Sequence, residues 1–163
     1  MTMHMLDEHL GESALEARTD VLGLLRRQAT LFAKLEQFAS RQRDLVRADD
    51  AGPLLSLLAD RQKLAAELTG IATRLAPVRA GWSSFRQSLD ESQRAEADGL
   101  LTDCSQRLLR VIEGDETDAR VLSLKKQAVV VEIRAAHTAG GALAAYRGPA
   151  PRGESAVRLD ESS

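Results

Sequence analysis

The side chains best suited to chemistry in this chain are three histidines, His4, His9 and His137, and the single cysteine, Cys104. An imidazole or a thiolate becomes a metal ligand or a nucleophile only with partners at a fixed spacing. A di-iron helical bundle, for example, sets Glu and His three residues apart on one helix face. Glu132 precedes His137 by five residues, so the two would point to different faces. His4 and His9 fall in a polar start without apolar periodicity. Cys104 lies on an apolar stripe with no histidine near it in sequence, which reads as small buried filler rather than a nucleophile. No glycine-rich loop of the nucleotide-binding types is present. These patterns predict no catalytic residue, no metal site and no cofactor.

Two other features point to a partner. Ala128-Val129-Val130-Val131-Glu132-Ile133 would put apolar side chains around most of a helix's circumference. A bundle needs only one stripe, so part of this cluster is expected to stay exposed and to accept a helix from another chain. A locally wider core is the alternative. Tyr146 is the only tyrosine, set in a Gly/Pro-containing stretch with no core to serve. It reads either as an anchor for a partner or as an incidental exposed aromatic. The partner-binding residues predicted in this way are Val129, Val130, Val131, Ile133 and Tyr146.

The elements that must carry these residues are helices. Ser13 with Glu16 fits a capping box. From there Leu24, Gln28, Leu31, Leu35, Phe38, Gln42 and Leu45 alternate steps of four and three, a heptad seam with two polar places. Leu22, Leu25, Ala29 and Phe32 widen it, as a helix packed on two neighbours requires. The first helix is predicted over about 13–48. Asp49-Asp50-Ala51-Gly52-Pro53 reads as a helix end, a tight connection and a new start. A second helix, about 53–76, has Leu54, Leu57, Leu58, Leu64, Leu68, Ile71 and Leu75 on its inner face, and Pro77 is expected to end or kink it. Trp82 and Phe85 suggest a hydrophobic plug at one end, with a ligand-stacking site as the lesser reading. A third helix, about 92–138, is favoured as continuous because its three/four spacing keeps phase across Gly114; two helices with a cap at Asp115 or Thr117 is the alternative. Gly140-Gly141 is expected to stop it. The fold class is therefore all-α: an elongated antiparallel three-helix bundle over 1–139 with a flexible tail over 140–163.

Bulk composition agrees. Only five residues are aromatic, which suits a narrow Leu/Ala seam better than a compact core. Residues 1–50 carry seven basic and nine acidic side chains, and residues 91–139 carry the same numbers. No block is basic enough to follow a phosphate backbone, so nucleic acid is not an expected partner. A lone cysteine excludes a disulfide within one chain and favours a reducing compartment. The polar, acidic start lacks the features of a signal peptide, and no apolar run reaches the roughly 20 residues of a membrane helix. The expected location is the cytoplasm, without membrane insertion.

The stretch RDLVRADDAGPLLSLLADRQKLAAEL, Arg43 to Leu68, resembles the flagellar export chaperones of the FlgN type. Asp44-Leu45, Asp50, Leu54, Leu57 and Arg61 or Lys63 fall in matching places. The long third helix and the ending Ala144-Ala145-Tyr146-Arg147-Gly148 are also similar, so the resemblance covers roughly residues 15–148. It implies a cytosolic, ATP-independent chaperone for type III flagellar export. Such a protein binds the C-terminal helical segments of hook-associated proteins, prevents their premature assembly and brings them to the export gate. Val129, Val130 and Ile133 would lie on the client side, and Tyr146 would serve at the gate. A structural coiled coil, a homo-oligomeric spacer such as a homodimer, or a general helical adaptor is the alternative, with Gln28 and Gln42 setting register between identical chains.

Overall fold

In a computed structural model, secondary structure is described for residues 2–146 and side chains for residues 11–141. Four helices follow in order: α1, Thr2–Ala48; α2, Ala51–Ala80; α3, Trp82–Ser88; and α4, Glu91–Tyr146. The protein is all-α, and its long helices form a bundle as the periodicity predicts. The chain divides into two units, Met1–Leu122 and Ser123–Ser163.

The first unit is built on the α1–α2 hairpin. Asp49 has φ 54°, the left-handed region, and the Asp50 N–H donates to the Leu45 carbonyl at 3.3 Å. This six-to-one bond past a left-handed residue is a Schellman end, with Asp in the place glycine usually takes. Two residues later α2 begins, with Leu54 N–H donating to the Asp50 carbonyl at 3.2 Å. Pro53 sits inside that first turn, where its missing N–H leaves no bond unmade. The expected connection is present, although Asp50 makes no side-chain cap.

Cross-links show how the helices run. Arg26 pairs with Glu96, Arg107 and Arg110 with Glu36, and Arg43 with Asp118. Position rises along α1 and α4 together, so these two helices are parallel. Arg27 to Glu67 and Gln42 to Arg61 run the opposite way, so α2 is antiparallel to α1. The unit is an up–down–up bundle. Its core holds Leu22, Leu25, Leu31, Leu35 and Ala39 from α1, Leu64, Ile71 and Leu75 from α2, and Ala97 and Val111 from α4. The buried row of α4 steps by seven: Ala97, Cys104, Val111, Asp118. On α1 the predicted seam is displaced by one residue at three places: Leu25, Ala39 and Val46 are buried, while Leu24, Phe38 and Leu45 are only partly so. The cause is that α1 faces α2 and α4 at once, so its most buried line falls between the two contacts. Leu58, expected on the inner face of α2, is exposed.

Several boundaries differ from expectation: α1 begins at Thr2 rather than near Ser13, so the Ser13–Glu16 pair lies inside the helix instead of capping it. Helix α2 passes through Pro77 and ends at Ala80, where Gly81 N–H caps the Val78 carbonyl. The proline is on the exposed side, and Val78 continues the row of Leu75 against the core. Next, the stretch after Pro77, which reads in sequence as a connection or a bent continuation, leads into α3, with Trp82 and Phe85 rings 5.6 Å apart and half-buried as a plug. Buried Leu89 follows, and Asp90 and Gln93 then form a reciprocal capping box that starts α4. Arg94 reaches back to the carbonyls of Arg86 and Leu89, which satisfies the end of α3.

Gly114 does not break α4. A Cβ there would lie 2.5 Å from Arg43 Nη2, so the glycine leaves room for that guanidinium against the helix. Gly140-Gly141 does not stop α4 either. In the second unit the helix runs to Tyr146, because the neighbouring Ala135, Ala136, Ala139, Ala142, Ala144 and Ala145 have the highest helix propensity and offset two glycines at about 1 kcal/mol each. The part of the predicted tail after Tyr146 lies outside the described residues. Among the described residues, no helix is long and apolar enough to cross a membrane.

Candidate partner-binding face on the last helix

Along α4 from Ser123, apolar residues fall into two rows. Val129, Ile133 and Ala136 are spaced by four and three, with Lys126 one step before them and Val130 beside them. Leu124, Ala128, Val131 and Ala135 repeat the same spacing about half a turn away. Polar side chains, Ser123, Gln127 and Arg134 on one flank and Lys125 and Glu132 on the other, separate the rows. A helix with two apolar rows is built for two neighbours.

These residues are not buried. Val129 is 52% exposed, Val131 63% and Ile133 62%, and Val130 and Leu124 are exposed too. Scattered apolar residues on a surface need no explanation, but five within ten residues of one helix make a patch. A shallow depression lined by Ser123, Lys126, Gln127, Val130, Val131 and Arg134 lies on the polar flank between the two rows. Between Ser123 and Tyr146 the helix carries Lys125, Lys126 and Arg134 against Glu132, a net basic balance. The valine cluster is therefore exposed rather than a wider core. Tyr146 closes α4, and its side chain lies outside the described residues.

A second cluster, in the first unit, escaped sequence reading. Gln42 and Asp118 are buried where apolar residues would be expected. Arg61 donates to the Gln42 side-chain oxygen and grips Asp115 with two bonds, 2.9 and 2.8 Å. Gln42 Nε2 donates to Asp118 Oδ2 at 3.0 Å, and Arg43 approaches the other oxygen at 4.0 Å. One side chain from α2 is thus tied to α1 and α4 at the same point. Gln42, Arg61, Asp115 and Asp118 bond chiefly to one another, so the cluster holds the register of the three helices. In the sequence Gln42 stood out as a polar member of the seam, Arg61 as a place in the resemblance and Asp115 as a possible helix cap, but nothing joined them.

The residues first considered for chemistry are dispersed. His137 and Glu132 are exposed on α4. His4 and His9 have side chains outside the described residues. Cys104 is buried in the core, and burial, then the nearby Asp103 charge, push its thiol above the ordinary range. Such a thiol holds its proton and packs as an apolar group. Among the described residues, no group of three His, Cys, Asp or Glu side chains is placed to hold a metal ion. No family model matches the chain, and no curated protein or solved structure matches it either.

Proposed function

We propose that the protein is a helix-capturing chaperone, whose clients dock on α4 beyond Ser123. The observation that carries this reading is the exposure of Val129, Val130, Val131 and Ile133 on an otherwise well-formed helix. Apolar surface of this kind is a liability unless a partner covers it, and an amphipathic helix is the partner that matches rows spaced by three and four. The basic excess around the rows suits a client helix with acidic flanks. The resemblance of Arg43 to Leu68 makes the specific proposal a cytoplasmic flagellar export chaperone of the FlgN type. Its clients would be C-terminal helical segments of hook-associated proteins, and Tyr146 would contribute at the export gate.

Binding of synthetic C-terminal segments of hook-associated proteins tests this by calorimetry. Val130→Asp should weaken binding about tenfold or more, since a charge then faces an apolar contact. Removal of residues 140–163 should reduce it further. Unchanged affinity in both variants rejects the reading. A concentration-independent homodimer that takes no client would favour the spacer alternative, for which the row Leu124, Ala128, Val131, Ala135 offers a self-pairing seam.

A further inference from the structure

The second row of α4, Leu124, Ala128, Val131 and Ala135, continues at the same spacing to Thr138 and is exposed along this length. Leu124 is 65% exposed and Val131 63%. Large and small side chains alternate along the row. Read as a coiled-coil seam, it has Ala128 and Ala135 at the a places and Leu124, Val131 and Thr138 at the d places. Lys125 and Glu132 then take the e places on one edge, and Gln127 and Arg134 the g places on the other.

This seam complements itself. In a parallel pair each residue would meet its own copy, so gaps at Ala128 and Ala135 would alternate with crowding at Leu124 and Val131. An antiparallel pair sets a against d instead. One register places Leu124 opposite Ala135 of a second copy and Ala128 opposite Val131, each contact occurring twice by symmetry. Every layer then holds one large and one small side chain, which is how facing helices interdigitate. The same register brings Lys125 beside Glu132 of the second copy on one edge, and Gln127 beside Arg134 on the other. Sliding one copy by a heptad spoils this match in either direction. One shift sets Lys125 against Lys125. The other sets Glu132 against Glu132 and Arg134 against Arg134. Like charges facing across a seam are unfavourable, so charge selects the first register.

We infer that two copies of the chain pair antiparallel along this row, in this register. Val129, Ile133 and Ala136 of each copy stay outside the seam, about half a turn away. The pairing needs no client and stands apart from the client reading. An ammonium carries three donors, so Lys125 keeps its interaction within its own chain and still meets Glu132 of the second copy. The overlap is about two heptads, which places the pair among small, transient interfaces of less than about 1,200 Å². Pairing is therefore weak and depends on concentration.

Sedimentation equilibrium of the full chain, without client, should show monomer passing to dimer between about 1 µM and about 1 mM. Glu132→Lys should weaken pairing about tenfold, because Lys125 then faces a cation twice, and Lys125→Glu should do the same. An equimolar mixture of these two variants should pair at least as well as the native chain, since every e contact is then between opposite charges. Ile133→Asp, on the other row, should leave pairing unchanged. Circular dichroism confirms that each variant is folded. Oxidative cross-linking reads the register. Leu124→Cys and Ala135→Cys chains, mixed, should join to each other. Leu124→Cys alone should not, because its two thiols lie about 17 Å apart along the axis. Cys104 is buried and does not compete. A monomer over the whole range overturns the proposal. So does pairing indifferent to the charge changes, self-joining of Leu124→Cys, or loss of pairing in Ile133→Asp. None of these measurements involves a client, so their failure and that of the chaperone reading are separate results.

Discussion

Arg61 of α2 and Asp115 of α4 meet in a two-point contact, Nη1 to Oδ1 at 2.9 Å and Nη2 to Oδ2 at 2.8 Å, while the same Nη1 also donates to Gln42 of α1. Three helices are thereby referred to one guanidinium. Removing it should leave Gln42 and Asp115 with unmet bonds. We predict that Arg61→Met lowers stability by about 2 kcal/mol, below the range for fully buried pairs because Asp115 is partly solvated. Replacing Gln42, Arg61 and Asp118 together by Leu, Met and Leu should recover most of that loss. Urea unfolding measures both, and a single-variant loss under about 0.5 kcal/mol would contradict the assignment.

Gly114 and Arg43 should be energetically coupled. Alanine is better than glycine in a helix by about 1 kcal/mol, but here its methyl group must displace Arg43 from the approach to Asp118. Gly114→Ala should therefore stabilise an Arg43→Ala protein by about the full amount and the native protein by less. A double-mutant cycle with zero coupling would show that the guanidinium does not occupy this space.

Acid should weaken the first unit. Hydrogen bonds from Arg110 lead, followed by those from Arg107, in holding the Glu36 carboxyl below its ordinary 4.5, against an opposing effect of burial. Glu96 is lowered by Arg26 and Asp98 by Arg86 in the same manner. A depressed carboxylate gives stability that is present above the unfolded value and is lost as pH falls through the folded one. The denaturation midpoint should thus decline on acidification through and below the carboxylate range. Glu36→Gln should be less stable at neutral pH and should show a shallower decline. A parallel decline in both proteins would remove Glu36 from the account.

Exposure on α4 predicts a contrast in stability. Val131→Asp should change the unfolding free energy by less than about 0.5 kcal/mol, as surface substitutions do. Leu75→Ala, in the core, should cost about 2–5 kcal/mol. A large loss in Val131→Asp would mean that the valines are covered within the protein.

The long helices were legible because apolar residues at three/four spacing cannot be satisfied by another structure over such lengths. The α1–α2 connection was legible because Asp, Gly and Pro each suit a helix boundary. Helix α3 was not, since seven residues around a tryptophan carry no measurable period. Asp90 with Gln93 was a readable start signal for α4 that the broader pattern obscured. Pro77 and Gly140-Gly141 misled, because a breaker acts only where flanking packing or propensity does not outweigh it. The valine cluster was legible as an excess of apolar residues over what one stripe needs. The Arg61 cluster was not, because its members are brought together only by the fold: Gln42 and Asp118 are 76 residues apart in sequence.

The parallel course of α1 and α4 has a kinetic consequence. Contacts between these two helices close loops of 70 to 76 residues, whereas Arg61 meets Gln42 across 19. Long loops are entropically slow to close, so the hairpin is expected to assemble first and α4 to join it late. We predict that Leu57→Ala, in the hairpin, chiefly slows refolding, whereas Glu36→Gln, at the α1–α4 contact, chiefly speeds unfolding. Denaturant-dependent relaxation rates distinguish the two, and the opposite partition would reverse the order of assembly. On this order, the helix that bears the exposed valines is the last to be secured. A newly made chain would then carry these valines before its own bundle is complete.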